Sequence, residues 1–124
     1  MYVFDSFAWI ELFKGGKKGE KVRRLLNEGR DRIATTTANY YEVYYRLEQE
    51  KGPALRERYL HFIETKAAVI PISIDIASVA AQIRLVEGLS AIDAFTLAAA
   101  RKLKAKVVTG DKDFEKLKDE VVFI

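Results

Sequence analysis

Acidic residues flank the short apolar segments of this chain at several places. The stretch 107–113, VVTGDKD, ends an apolar run and then delivers two carboxylates, Asp111 and Asp113. The other acidic positions of this kind are Asp5, Glu42 and Asp93. Carboxylates that are brought together repel one another, and burial adds to the cost, so a fold tolerates them best around a cation. Ligands that are all oxygen atoms favour a hard divalent ion, Mg²⁺ or Mn²⁺.

Such a group of carboxylates favours metal-assisted hydrolysis. A divalent ion lowers the pKa of bound water, and two ions about 4 Å apart can stabilise both the attacking and the leaving oxygen of a phosphodiester. The chain has no cysteine and one histidine, His61, which lies far in sequence from every one of these acids. Neither GxxxxGK[ST] nor GxGxxG occurs. A cysteine nucleophile, a Ser-His-Asp triad and a nucleotide-binding loop are therefore unsupported.

Each acid also has a structural interpretation, as a residue that caps a helix. The positions that fit a cap are Asp5, Asp111, the capping-box pair Ser90–Asp93 and, more loosely, the pair Asn39–Glu42. At such a position an acidic side chain accepts a hydrogen bond from a backbone N–H at the start of the helix. Asp75, which opens its own helix, is interpreted as a cap and nothing more. The recurrence of acids at strand ends favours a site, although each single position fits a cap.

Strands and helices alternate along the chain and must position these acids. The predicted strands span residues 2–4, 32–36, 68–72, 106–109 and 121–124. The predicted helices span residues 6–13, 20–28, 38–51, 53–66, 75–87 and 90–103, and a short helix follows Asp113. This alternation predicts an α/β fold with a parallel sheet covered on both faces. Ligands of such sheets bind beyond the carboxyl ends of the strands, where the strand order reverses.

The composition is that of one small domain, residues 1–124, with a net charge of +3. The positive charge mildly favours a polyanionic partner. No run of 18 apolar residues occurs, and the first residues lack the basic start of a signal peptide. The sequence therefore predicts a soluble protein of the cytoplasm.

Four segments, in order, resemble the motifs of PIN-domain nucleases, most closely the small VapC-type toxins of prokaryotic toxin–antitoxin pairs. These segments are YVFDS, ANYYEV, LSAIDAFTLAAA and VVTGDKDF. The resemblance covers nearly the whole chain. It implies a three-layer α/β/α fold with a central five-stranded parallel sheet, and Mg²⁺- or Mn²⁺-dependent endoribonuclease activity.

The resemblance also implies roles for individual residues. The catalytic acids of the family fall on Asp5, Glu42, Asp93 and Asp111. The three aspartates are expected to hold metal, and the glutamate to bind metal or orient water. Supporting residues are expected at Ser6, Asn39 and Thr109. Because some members carry the last acid directly before the phenylalanine, Asp113 is an alternative to Asp111. The number of metal ions, one or two, stays open.

Four tyrosines surround Glu42 on the predicted helix 38–51. At 100° per residue, Tyr40 and Tyr44 lie opposite Glu42 and are predicted to be core residues. Tyr41 and Tyr45 lie on a flank, where they can stack on RNA bases or be buried between subunits. The resemblance favours the interface, and it implies a homodimer and a small cognate antitoxin.

Two other functions compete with the nuclease. A PIN-like protein that only binds RNA or acts as a scaffold usually lacks some of the acids, whereas this chain has all four. A receiver-like phosphoacceptor domain shares the fold class. It needs adjacent acids after the first strand and a lysine at the end of a late strand. Here Asp5 is the single acid after the first strand, and the last strand ends the chain.

Overall fold

A central parallel sheet organises the chain in a computed structural model that describes residues 1–29 and 31–124. The strands are β1 (Tyr2–Phe4), β2 (Ile33–Thr36), β3 (Ala68–Ile70), β4 (Lys106–Thr109) and β5 (Val121–Phe123). Their order in the sheet is β3-β2-β1-β4-β5, and all paired strands are parallel. After β1 the chain adds β2 and β3 on one side of it, and then crosses over to add β4 and β5 on the other side. The strand order reverses between β1 and β4.

Helices cover both faces of the sheet. They are α1 (Ser6–Lys14), α2 (Gly16–Asn27), α3 (Thr37–Lys51), α4 (Pro53–Lys66), α5 (Ile74–Glu87), α6 (Ala91–Leu103) and a 3-10 segment, Lys112–Glu120. The predicted α/β class and the five-stranded parallel sheet of a PIN-like fold are thus confirmed.

Two apolar clusters, one on each face of the sheet, form the core. Successive side chains of a strand point to opposite faces, so Val3 and Val107 join the cluster of α5 and α6. Phe4 and Val108 join the cluster of α1, α2, α3 and α4, which contains the buried Trp9. Both clusters pack against the central strands and hold the carboxyl ends of β1 and β4 side by side.

Several element boundaries differ from the sequence-based prediction. Helix α2 begins at Gly16 rather than at residue 20, because Gly15 and Gly16 adopt positive φ angles of 78° and 81° and complete the turn within two residues. Strand β3 ends at Ile70, directly before Pro71, which has no N–H for a further ladder bond. The prediction that Asp75 caps α5 is wrong, because Ser73 is the cap and accepts the N–H of Ile76.

In the described part of the chain, no helix combines the length and the apolar character that a membrane crossing requires.

Candidate functional site

An aspartate follows the carboxyl end of each of β1 and β4, directly after β1 and one residue later after β4. Asp5 follows β1 and caps α1, with its Oδ1 accepting the N–H of Ala8 at 2.8 Å. Asp111 follows β4 and caps the 3-10 segment, with its Oδ1 accepting the N–H of Asp113 at 2.9 Å. The N–H of Asp111 in turn donates to Thr109 Oγ1 at 3.0 Å. Both acids therefore are caps and also lie where the strand order reverses.

Helix α3 contributes Glu42 to the same end of the sheet. The reciprocal capping box of α3 joins Thr36 and Asn39, so the looser prediction of a box between Asn39 and Glu42 is wrong. Thr36 rather than Asn39 is the cap, because β2 runs directly into the helix. Glu42 lies one turn after Asn39, half-buried, and its side chain is not used by the cap.

Helix α6 contributes Asp93 through its first turn. Gly88, in the left-handed conformation with φ of 70°, separates α5 from α6, and Ser90 caps α6 by accepting the N–H of Asp93 at 3.3 Å. The Asp93 carboxylate lies beside the β4 end: oxygens of Asp93, Asp111 and Asp113 all lie within 4.8 Å of one another. Asp111 and Asp113 are thus both near Asp93, Asp111 half-buried and Asp113 exposed.

These acids surround one pocket, which we call the acidic pocket. It has a volume of about 380 Å³ and is lined by Asp5, Ser6, Phe7, Glu42, Arg46, Ser90, Ala91, Ile92, Asp93 and Asp111. The four acids that the sequence predicted all lie in its wall, and Asp113 lies beside it. All these carboxylates offer oxygen donors, so the set fits a hard divalent cation.

The electrostatics of the acidic pocket disfavour ionisation of its acids. Burial raises the pKa of Asp5 from 3.8 to about 7, and the charges of Asp93 and Asp111 add to the rise. Hydrogen bonds from the Thr109 hydroxyl and the Ala8 N–H oppose that rise without cancelling it. Asp5 is 3% exposed. A carboxyl this buried, beside other acids, is where a cation would be most stabilising.

Asp93 shows the same effect more weakly. Burial is the largest cause and the charge of Asp111 the second, and together they raise the pKa of Asp93 from 3.8 to about 6. A hydrogen bond with the Ser90 side chain lowers it, while Glu42 and Asp113 raise it further. The four acids of the pocket and Asp113 are therefore close enough to affect one another electrostatically.

A buried polar network supports the acidic pocket from below. Asn39, fully buried, donates from Nδ2 to Ser6 Oγ at 3.2 Å and to Thr96 Oγ1 at 3.1 Å. Its Oδ1 accepts from the Thr36 hydroxyl at 2.8 Å. Asn39 thereby joins α1, which follows Asp5, to α3 and α6, which carry Glu42 and Asp93. Thr35 adds a second link, accepting from Trp9 Nε1 at 3.1 Å.

Ser6, Asn39 and Thr109 were predicted from the sequence as supporting residues, whereas Thr35, Thr36 and Thr96 were not. All six side chains are buried. One signal was present for Thr96: it follows Asp93 by three residues and therefore shares its helical face. His61 is exposed on α4 and does not line the acidic pocket.

The tyrosines of α3 agree with the prediction only in part. Tyr40 is half-buried and packs against the core. The prediction that Tyr44 is a core residue is wrong: it is 39% exposed, and the Arg56 guanidinium stacks on its ring at 4.3 Å from the centroid. Helix α4 supplies this arginine rather than an apolar side chain, which leaves the ring at the surface. Tyr41 and Tyr45 are 65% and 57% exposed.

Comparisons with known proteins agree with the fold. The family model described as PIN domain matches residues 2–120. A toxin–antitoxin complex from Klebsiella pneumoniae has a TM-score of 0.81 at 24% identity, over 98% of this chain and 96% of that one. Mycobacterium tuberculosis VapC20, a sarcin–ricin loop cleaving toxin, has a TM-score of 0.78 at 18% identity, over 94% and 95%.

A third structure is VapBC2 from Rickettsia felis bound to a DNA fragment from its promoter. It has a TM-score of 0.77 at 15% identity, over 99% of this chain and 96% of that one. At these identities the superpositions establish the fold. Comparison with curated proteins gives no significant match.

Proposed function

Because this chain belongs to the PIN-domain family, we propose that it is a metal-dependent endoribonuclease that acts in the cytoplasm as the toxin of a toxin–antitoxin pair. The observation that carries the proposal is Asp5. Its carboxyl is 3% exposed, its pKa is raised to about 7, and it lies among the other acids of the pocket. Among the described residues, Asp5 forms no ion pair. Asp5 and its neighbouring acids would hold a divalent cation, which would supply the missing counter-charge.

The acids have different roles in the proposed site, according to their positions. Asp5, Asp93 and Asp111 would hold Mg²⁺ or Mn²⁺, with Asp113 as an outer or alternative ligand, and Glu42 would hold metal or orient water. The metal would supply its usual chemistry here, which is to lower the pKa of water. Thr109 accepts the N–H of Asp111, and the bond between Ser6 and Asn39 joins the helices next to the acids, so these side chains would keep the acids in place. The reaction proposed is hydrolysis of a phosphodiester, with water attacking in line to leave a 5′-phosphate and a 3′-hydroxyl.

RNA is the proposed substrate, and a small antitoxin is the proposed partner. One structural relative is described as cleaving the sarcin–ricin loop, and others are toxin–antitoxin complexes. We propose that the antitoxin binds near the acidic pocket and places a basic side chain among the carboxylates. We also propose a homodimer that buries Tyr41 or Tyr45, which present large exposed aromatic surface on α3.

The alternative of a catalytically silent RNA-binding or scaffold protein predicts an incomplete site. The acidic pocket instead contains Asp5, Glu42, Asp93 and Asp111 together, which favours the nuclease. The family match likewise favours the nuclease over a receiver-like domain.

Cleavage of a panel of structured RNAs tests the proposal. The purified chain should cut RNA with Mg²⁺ or Mn²⁺ and stop in EDTA, and Asp93→Asn should remove nearly all activity. The matched control is Asp75→Asn, since Asp75 is an exposed acid outside the acidic pocket. Cleavage that persists in EDTA, or that Asp93→Asn leaves intact, would refute the metal-dependent mechanism. Normal growth of cells expressing the chain alone would refute the toxin role.

A further inference from the structure

One face of α3 runs from the floor of the acidic pocket to its rim. Asn39, Glu42 and Arg46 are three and four residues apart, so they share this face. Asn39 is fully buried, whereas Glu42 and Arg46 are half-buried and line the pocket. The helical rise of 1.5 Å per residue separates the backbone of Glu42 from that of Arg46 by about 6 Å. That separation is comparable with the spacing of successive phosphates along an extended strand.

Arg46 is the one cationic side chain among the described residues that line the acidic pocket. Its ion pair is with Glu50, an exposed residue one turn further along the same helix face, at 3.5 Å between Nη2 and Oε1. This distance is long for a hydrogen bond, and exposed pairs of this kind contribute little. Among the described residues, no ion pair joins Arg46 to a carboxylate of the acidic pocket. Its charge is therefore not committed to the carboxylates of the pocket.

We propose that Arg46 is a substrate-binding residue that contacts the RNA phosphate next to the scissile one. The inference rests on the proposed nuclease function. The acidic pocket repels the polyanionic strand wherever metal does not offset its carboxylates, so a cation at the rim is needed to hold the neighbouring phosphate. A guanidinium suits this position because it is always charged and its planar fork matches phosphate oxygens. Arg46 thereby fixes the register of the strand while the acids act one helical turn away.

Equilibrium binding tests the proposal without cleavage. The probe is a fluorescein-labelled single-stranded oligoribonucleotide, titrated at several salt concentrations with protein that carries Asp93→Asn. Each phosphate contact to a single strand contributes about 0.7 to the slope of log K against log salt. Adding Arg46→Gln should therefore weaken binding and reduce the slope by about 0.7. Arg46→Lys should keep the slope and recover part of the affinity, because the charge remains while the fork is lost.

The matched control is Glu50→Gln, which removes the surface ion pair of Arg46 and leaves the acidic pocket unchanged. It should bind the probe at least as tightly as the parent, since the guanidinium is then released. Arg46→Gln and Glu50→Gln should have the same Tm, because each removes the same exposed pair. A Glu50→Gln variant that reproduces the loss of affinity would overturn the proposal, since the effect would then belong to the ion pair.

Kinetics give a second readout on any RNA that the wild type cleaves. Arg46→Gln should raise KM about 10- to 100-fold, the equivalent of one charged hydrogen-bonded contact. The change in kcat should stay within about threefold, because the contact is present in the ground state as well as the transition state. An unchanged salt slope, an unbound probe, or a loss confined to kcat would each overturn the assignment. Absence of metal-dependent cleavage by the wild type would instead refute the nuclease function, and the binding comparison would still decide whether Arg46 contacts RNA.

Discussion

Asn39 Nδ2 donates a hydrogen bond to Thr96 Oγ1 across 3.1 Å and so joins α3 to α6. Asn39 lies one turn before Glu42, and Thr96 lies one turn after Asp93, so the bond sets the separation of the two helical faces that carry these acids. Both partners are fully buried. The geometry of the acidic pocket therefore depends on an uncharged amide as well as on the acids themselves.

The first prediction concerns this amide. Asn39→Ala should lower the free energy of unfolding by about 2–3 kcal/mol, because the buried Ser6 hydroxyl loses its amide donor and the Thr36 hydroxyl loses its amide acceptor. It should also reduce cleavage, since the acids lose their support. Urea unfolding measures the first effect. The matched control is Gln49→Ala, an exposed amide on the same helix, which should be close to neutral. Equal losses for the two variants would contradict the role of Asn39.

The second prediction concerns the pH dependence of stability in the metal-free protein. The pKa values of Asp5 and Asp93 are raised from 3.8 to about 7 and about 6. Between pH 4 and 7 the folded state therefore binds more protons at these groups than the unfolded chain does. Their contribution to stability is fully present below about pH 4 and is lost as pH rises through 6 and 7.

Urea unfolding in EDTA from pH 4 to 8 measures this loss. Asp5→Asn keeps an oxygen that can accept the Ala8 N–H but removes the titrating carboxyl. The difference between wild type and Asp5→Asn should therefore grow across the window, in favour of the mutant. Parallel curves would show that Asp5 titrates normally in the folded protein.

The third prediction uses metal as the ligand. Mn²⁺ should raise the Tm of the wild type, because the folded state binds the ion and the unfolded chain binds it poorly. Asp93→Asn should raise the Tm in EDTA, since one repelling carboxylate is gone, and should weaken or abolish the response to Mn²⁺. Asp75→Asn should respond as the wild type does. An Asp93→Asn protein that melts lower in EDTA and still responds fully to Mn²⁺ would identify Asp93 as a capping residue and not a ligand.

The fourth prediction concerns the contact between Gly110 and Phe7. A Cβ added at Gly110 would overlap with the Phe7 ring, approaching its Cδ1 and Cζ to 2.8 Å. Gly110→Ala should therefore destabilise the protein by about 1–3 kcal/mol and displace Asp111, the next residue. Adding Phe7→Ala removes the overlap. The double variant should be more stable than the sum of the two single effects predicts. Urea unfolding of the wild type, the two single variants and the double variant measures this, and additive effects would exclude the contact as the cause.

The fifth prediction concerns the tyrosine surface of α3. Tyr41→Glu and Tyr45→Glu should shift a homodimer to the monomer, because each places a charge in the proposed interface. Sedimentation equilibrium measures the change. The matched control is His61→Glu, at an exposed position of α4, which should leave the dimer intact. A wild-type protein that is monomeric at all practical concentrations would exclude the dimer.

Local sequence patterns were sufficient for the class of fold and for the four acids of the pocket. Short apolar strands alternating with amphipathic helices fix a parallel sheet, because crossovers have to return the chain to the same edge. Acids that follow such strands then meet at that edge. Asp5 and Asp111 were predictable in this way, since Asp5 directly follows β1 and only Gly110 separates Asp111 from β4.

Long-range packing decided the rest. The partners of Asn39 include Thr96, 57 residues away, and no periodicity relates two helices whose separation depends on packing. The same reason explains why Tyr44 is exposed beside Arg56 although its helical position suggested the core. It also explains how Asp111 and Asp113 both approach Asp93, where the sequence favoured only one. The periodicity of a helix or strand predicts which side chains share a face. Only the packing of the whole chain determines which residues that face contacts.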